Sequence, residues 1–285
     1  MVGTMESLTA INKSRIRQAF QKALNDYDRH ALIQQKMTIN LMAHLQDYLP
    51  DMPLENVLEL GCGSGMLSAL LQKQISANYW LFNDLCDVQP QLAEKLPQSF
   101  DFYCGDAENF PFQRQFDLIA SASAVQWFHQ PDAFIAHCKT GLKANGLLAV
   151  ATFGKDNLKE VRQITNIGLN YPTLSQWQTW LAKDFELLWC EDFKVILDFD
   201  TPLDVLKHLK YTGVTATNQK KLDKKKSQWI YWRLFVGVQY AVGQSAPDLS
   251  SVIFYRALLC GGQAIRQLMG KVIFISGIDT DVGKR

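Results

Sequence analysis

The chain has almost no net charge. Its 285 residues carry 29 Lys and Arg against 28 Asp and Glu, a formal +1. No global field therefore draws it to nucleic acid or to a membrane surface. It has no run of about eighteen apolar residues, so no spanning helix is expected. Its first residues, MVGTMESLTA, lack the basic and then apolar pattern of a signal peptide. The six cysteines (Cys62, Cys86, Cys104, Cys138, Cys190, Cys260) are scattered, with no C-x-x-C. That usage predicts reduced thiols in the cytoplasm and neither disulfides nor a zinc site. The five histidines show no H-x-x-x-H and no clustering with cysteine, so no metal site is expected. No G-x-S-x-G occurs, which weighs against a serine nucleophile on a strand-to-helix elbow.

What is present is a globular α/β pattern. Hydrophobic residues make up 47% and charged residues 20%, enough apolar surface for a sizeable core. Residues 7–49 read as two helices, the second with a stripe of Leu32, Met37, Leu41 and Leu45. Ile11, Arg15, Gln18 and Lys22 mark the first as polar-rich. Pro50 and Pro53 then close this section. From 56 onward, apolar strands at 56–60, 79–83, 100–104, 116–120 and 146–152 alternate with helices near 65–75, 88–96 and 131–141. Such alternation predicts a parallel sheet with helices packed on it. Helices are expected at 156–168 and 175–183, a strand at 185–199 and a helical segment at 202–242. A last strand at 252–259 would complete a seven-stranded, mostly parallel sheet.

Ligands of such sheets bind outside the carboxyl ends of the strands. The first strand ends in Glu59-Leu60-Gly61-Cys62-Gly63-Ser64-Gly65, where glycines let backbone approach a ligand closely. A dinucleotide site wants G-x-G-x-x-G. Here the spacing is G-x-G-x-G, and Met66 fills the position of the last dinucleotide glycine. Asp84 ends the second strand, nineteen residues past Gly65. Its carboxylate either accepts hydrogen bonds from a ribose or caps the strand end. After the third strand, Asp106 stands ready for an adenine amino group, for a helix N-cap, or for both, with Ala107 beside it as apolar wall. After the fourth, Ser121-Ala122-Ser123-Ala124 leaves room for a ligand, and Trp127 is either wall or core.

The E-L-G-C-G-S-G run resembles motif I of the class I S-adenosylmethionine methyltransferases. Other stretches resemble one family within that class, the malonyl-[acyl-carrier protein] O-methyltransferases of biotin synthesis. Tyr27-Asp28-Arg29-His30-Ala31, with Gln34-Gln35 after it, is similar to that family's Y-x-x-H-A-x-x-Q opening. Ser121 to Trp127 resembles its S-x-x-A-V-Q-W stretch. Thr152-Phe153-Gly154 with Asn157-Leu158-Lys159-Glu160 resembles its T-F-G…N-L-x-E segment, and Leu209 to Thr215 its inserted lid. The resemblance covers most of residues 10–260. It implies a Rossmann-like class I methyltransferase fold with N-terminal helices (1–50) as a substrate lid, a catalytic domain over 51–265 and a helical lid insertion at about 200–245. It implies S-adenosyl-L-methionine held by Glu59, Gly61, Gly63, Gly65, Asp84, Asp106, Ala107 and Ser121. Tyr27 and His30 become the residues over the substrate.

The implied reaction methylates the free carboxylate of a malonyl thioester on acyl carrier protein. Such a carboxylate, with a pKa near about 3.9, is ionised at neutral pH, so no general base is needed. The run Lys220-Lys221-Leu222-Asp223-Lys224-Lys225-Lys226 is either a solvated face or a dock for the acidic carrier protein. Where the family's lid often carries arginines, this chain has lysines, which lack the bidentate fork. The tail begins with a strand-like run, Lys271-Val272-Ile273-Phe274-Ile275-Ser276. The Gly277-Ile278-Asp279-Thr280-Asp281-Val282-Gly283-Lys284 that follows resembles the opening of dethiobiotin synthetase, a phosphate-binding loop, with Arg285 where Ser or Thr would hold magnesium. The resemblance implies that 271–285 is the truncated start of such a segment, separate from the catalytic domain. Rival readings are a methyltransferase for another small acid or quinone precursor and a non-catalytic S-adenosylmethionine-binding protein.

Overall fold

The computed structural model describes residues 11–159, 161–162, 168–199, 202–212, 252–259 and 270–277. Two helices come first, α1 (Lys13–His30) and α2 (Leu32–Gln46). The side chain of Asn12 caps α1 by accepting from the Arg15 N–H at 3.0 Å. Along α2, Met37, Leu41 and Leu45 are fully buried, but Leu32 is exposed and Ile33 takes the inward place. The alternating part follows as β1 (Leu54–Leu60), α3 (Met66–Gln74), β2 (Ala77–Asp84), α4 (Gln89–Lys95), β3 (Asp101–Cys104), β4 (Phe116–Ala122), α5 (Pro131–Gly141) and β5 (Leu142–Ala151). Then come α6 (Leu174–Leu181), β6 (Phe185–Asp198), α7 (Pro202–Tyr211), β7 (Val252–Leu259) and β8 (Gly270–Gly277).

The strands form one sheet in the order β3-β2-β1-β4-β5-β8-β6-β7. Among the described residues it therefore has eight strands, not the seven expected. The extra strand is β8, which pairs parallel to both β5 and β6, while β7 lies antiparallel on β6 at the edge. An apolar run such as Val272-Ile273-Phe274-Ile275 has the composition of a strand buried on both faces. The described part of the expected lid insertion is α7. Residues 200–201 and 213–245, including the lysine run, lie outside the described residues, as do 160 and 163–167 of the helix expected at 156–168 and the tail beyond Gly277.

Strand alternation splits the core in two. Val57, Phe82, Leu118, Ala120 and Leu147 meet α2 and α3 on one face. Leu58, Leu60, Ile119, Leu148 and Val150 meet α5 and α6 on the other. Strand order reverses at β1, which pairs in parallel with β2 on one side and β4 on the other. A crevice opens outside the carboxyl ends at such a switch point. No helix among the described residues is long and apolar enough to cross a membrane.

Candidate functional site

The turn after β1 holds three glycines in the left-handed region, with φ of 75° at Gly61, 53° at Gly63 and 84° at Gly65. They do different things. A side chain on Gly61 would meet the Ala124 Cβ at 2.3 Å, and one on Gly65 the Leu92 Cδ2 at 2.6 Å. Those two glycines let the loop pack against the β4 terminus and against α4. At Gly63 a Cβ would find nothing within 4 Å, so here the backbone faces open space. The Gly61 and Cys62 N–H groups both donate to the Asn83 carbonyl at 2.9 Å, tying the loop to the end of β2.

That open space is a cleft of about 840 Å³, its mouth included, at the carboxyl ends of β1, β2 and β4. Gly61, Gly63, Asp84, Asp106, Ala107 and Tyr27, among the residues expected from sequence, line it. Asp84 is the pivot. Its Oδ2 accepts from the Gly63 N–H at 2.9 Å and its Oδ1 from the Cys86 N–H at 2.7 Å. Burial raises its pKa, and these N–H bonds oppose the rise. Asp106 caps the short turn Ala107–Asn109 through the Glu108 N–H at 3.1 Å, while still lining the cleft. The capping reading of Asp106 holds, and the same carboxylate stays on the cleft wall.

The other expected residues stand behind the wall. Glu59 is 1% exposed and accepts from the Ser68 hydroxyl at 2.6 Å, under the loop and out of the cleft. It shares a strand face with Val57, which packs toward α3, and that is why it points away. Burial pushes its pKa up to about 8, against the Ser68 hydrogen bond. Ser121 is fully buried and donates to the Leu60 carbonyl at 2.8 Å, bracing β4 on β1. Its successors Ala122, Ser123 and Ala124 form the wall instead. Gly65 packs on α4, as above.

Helix α1 roofs the cleft with Ile16, Phe20, Leu24 and Tyr27, spaced to share one helical face. Phe20 stands edge-on to Trp127 at 5.6 Å and to Tyr27 at 6.0 Å. Burial, then the carboxylates of Asp28 and Asp84, pushes the Tyr27 phenol above the usual range, opposed by a hydrogen bond to Gln34. His30 is not in the cleft. It ends α1 and stacks on Tyr211 of α7, ring centroids 4.3 Å apart. Sequence reasoning followed Arg15, Gln18 and Lys22, the exposed side of α1, and so missed the inward stripe and Lys13. The i, i+4 apolar spacing was the available signal.

The donor set suits an adenosyl ligand. One carboxylate sits at the glycine loop and another at the next strand end, with apolar wall between them and a backbone position open where a Cβ would project. No group of three or more His, Cys, Asp or Glu among the described residues is placed to hold a metal ion.

Comparison with known proteins agrees with this geometry. A family described as a methyltransferase domain matches residues 58–150. A malonyl-[acyl-carrier protein] O-methyltransferase of Haemophilus influenzae is 90% identical over 221 residues, covering 78% of this chain and 85% of that one. One from Haemophilus ducreyi is 40% identical over 219 residues, covering 75% and 84%. Among solved structures, a methyltransferase-assigned chain from Bacillus halodurans superposes with a TM-score of 0.56 at 17% identity, covering 83% of this chain and 96% of that one. That likeness shows the fold.

Proposed function

This chain belongs to the malonyl-[acyl-carrier protein] O-methyltransferase family, and we propose how its own residues carry that activity. It is an S-adenosyl-L-methionine-dependent carboxyl O-methyltransferase, and its acceptor is the free carboxylate of a malonyl thioester carried on acyl carrier protein. The observation that carries the reading is the pairing of Gly63 with Asp84. The loop N–H fixes one oxygen of a carboxylate that lines the cleft, at the one loop position open to a ligand.

In this reading Asp84 takes the ribose hydroxyls and Asp106 the adenine amino group, with Ala107 and Phe128 as apolar wall. Gly61, Gly65, Glu59 and Ser121 hold the loop and strand ends in place. S-adenosylmethionine, when bound, supplies an electrophilic methyl group. The protein supplies placement and exclusion of water, since an ionised carboxylate needs no base. The roof of α1, with Tyr27 inward, serves as the substrate lid. His30 serves it from outside, by fixing α1 against α7. The ester masks a charge that would be costly to bury in apolar pockets of chain elongation.

The carrier protein is acidic, and Lys220, Lys221, Lys224, Lys225 and Lys226 are the proposed docking patch. A cytoplasmic setting fits the unpaired state of all five described cysteines. The tail from Gly277 to Lys284 is read as the start of a dethiobiotin-synthetase-like segment, supported by its G-x-D-T-x-V-G-K pattern. Mass spectrometry of malonyl carrier protein incubated with the enzyme and S-adenosylmethionine tests the whole reading. One added methyl on the malonyl group is expected. Its absence on both the carrier and the coenzyme A thioester would refute the acceptor.

A further inference from the structure

We infer that Lys13 is a positioning residue that locks the roof helix α1 to the base-recognition carboxylate Asp106, so that lid closure and donor binding reinforce each other. The inference rests on the donor-site reading above. Lys13 is the first residue of α1, and its Nζ lies 2.9 Å from Asp106 Oδ1 and 3.0 Å from Glu108 Oε2. The contact joins residues 93 positions apart in the chain. It is also the only cation among the described residues that line the cleft.

Three observations give the contact its direction. First, a cation in the opening turn of a helix opposes the macrodipole, and α1 has no acid there to compensate. Lys13 therefore does nothing for its own helix, and its partners are across the cleft. Second, the Asp106 bonds all fall on one oxygen. Oδ1 takes Lys13 and the Glu108 N–H, and Oδ2 accepts nothing among the described residues. The carboxylate is thus turned, with its free oxygen left for an amino group. Third, Glu108 is itself anchored. Its Oε1 accepts from the Gln130 N–H at 2.6 Å and its Oε2 meets His129 Nδ1 at 3.2 Å. Burial works against its charge, but the backbone N–H groups of Gln130 and His129, together with Lys13, hold its pKa below the usual value. Lys13 also lies 4.7 Å over the Phe128 ring.

The far end of α1 is fastened in the same manner. Lys95 Nζ donates to Asp28 Oδ2 at 2.7 Å and to the Ser64 carbonyl in the glycine loop at 2.8 Å. The roof is therefore pinned at both ends to elements that make the donor site. Two carboxylates already hold Lys13 at the base end, so it is not the cation that orients the acceptor carboxylate.

The test measures binding of S-adenosylhomocysteine and of S-inosylhomocysteine, in which a carbonyl replaces the amino group, by titration calorimetry. Lys13→Met is expected to raise the Kd for S-adenosylhomocysteine about tenfold, the scale of one charge-assisted hydrogen bond, with Lys13→Arg within about threefold of the parent. The preference for the adenosyl over the inosyl ligand should shrink in Lys13→Met, because Asp106 is no longer held. A preference that stays unchanged while both ligands weaken equally would overturn the inference, since a merely structural role acts on both alike. A rise in KM for the malonyl substrate with unchanged ligand Kd would also overturn it, moving Lys13 to the acceptor. If the parent protein binds neither ligand, the donor-site reading falls, and this inference falls with it.

Discussion

Replacing Glu59 by Gln should make the protein more stable at neutral pH. Glu59 is buried with a hydroxyl donor and, among the described residues, no cation, and its pKa stands at about 8 instead of the ordinary 4.5. Desolvation is the main cause, and the nearby Asp84 charge adds to it. Between pH 4.5 and 8 the unfolded chain has lost this proton and the folded chain has kept it. The folded state binds more protons, so stability falls as pH rises, by about 1.4 kcal/mol per pH unit for this group. By pH 7 the penalty reaches roughly 3 kcal/mol, a large fraction of an ordinary domain's stability. Gln has the shape of the protonated acid and can still accept from Ser68, so Glu59→Gln keeps the contact and loses the penalty. Urea unfolding of both proteins at pH 5, 6, 7 and 8 gives the comparison. The advantage of Glu59→Gln should be small at pH 5 and grow steadily to pH 8. A difference that stays flat with pH would mean that Glu59 is ionised in the folded state, and the reasoning would be wrong.

The glycine loop offers a sharper contrast. Gly61→Ala drives a methyl group to 2.3 Å from Ala124 and strains a φ of 75°, so it should cost more than about 2 kcal/mol in unfolding free energy. Gly63→Ala meets no neighbour and should cost only about 1–2 kcal/mol of backbone strain, yet its methyl enters the cleft and should weaken S-adenosylhomocysteine binding more than about tenfold. Equal unfolding costs for the two variants would refute the division of labour. Charge reversal at Lys224, Lys225 and Lys226 should raise the KM for malonyl carrier protein and leave the KM for malonyl coenzyme A nearly unchanged. Equal effects on both thioesters would remove the docking role.

Much of the framework could be read without coordinates, because it depends on local periodicity. The apolar runs at β1, β2, β4 and β5 and the switch at Gly61 to Gly65 placed the cleft between strand ends. Asp84 was legible as the acid at the end of β2, though not that the Gly63 and Cys86 N–H groups would share it. Glu59 was misplaced although the information was there. Residues two apart in a strand share a face, and Val57 already pointed to α3. His30 was not legible. Its i, i+3 spacing from Tyr27 suggested the same face, but it is the last residue of α1 and stacks on Tyr211, a partner far along the chain. The same holds for Lys13 and Asp106, and for β8, whose strand character was plain but whose place between β5 and β6 is set by tertiary pairing.

A cleft that holds an electrophilic methyl donor must not offer nucleophiles of its own, and the groups around this one are kept quiet. Cys86 lines the cleft, and burial, followed by the Asp84 charge, pushes its thiol up to about 12. Cys62, under the loop, is raised well above its ordinary value by the same two causes, and the Tyr27 phenol is raised beside them. A thiol shifted from 9.0 to about 12 has roughly a thousandth of the ordinary thiolate at neutral pH, and thiolate is the reactive form. Asp84, the carboxylate proposed to hold the donor's ribose, thus also disarms the thiols beside it. Iodoacetamide at pH 7.5, followed by peptide mass spectrometry, should label the exposed Cys104 more than about a hundredfold faster than Cys86. In Asp84→Asn the Cys86 rate should rise, because its second-largest restraint is gone while its burial remains. A Cys86 rate equal to that of Cys104 in the parent, or one unmoved in Asp84→Asn, would show that the cleft does not protect its thiols in this way.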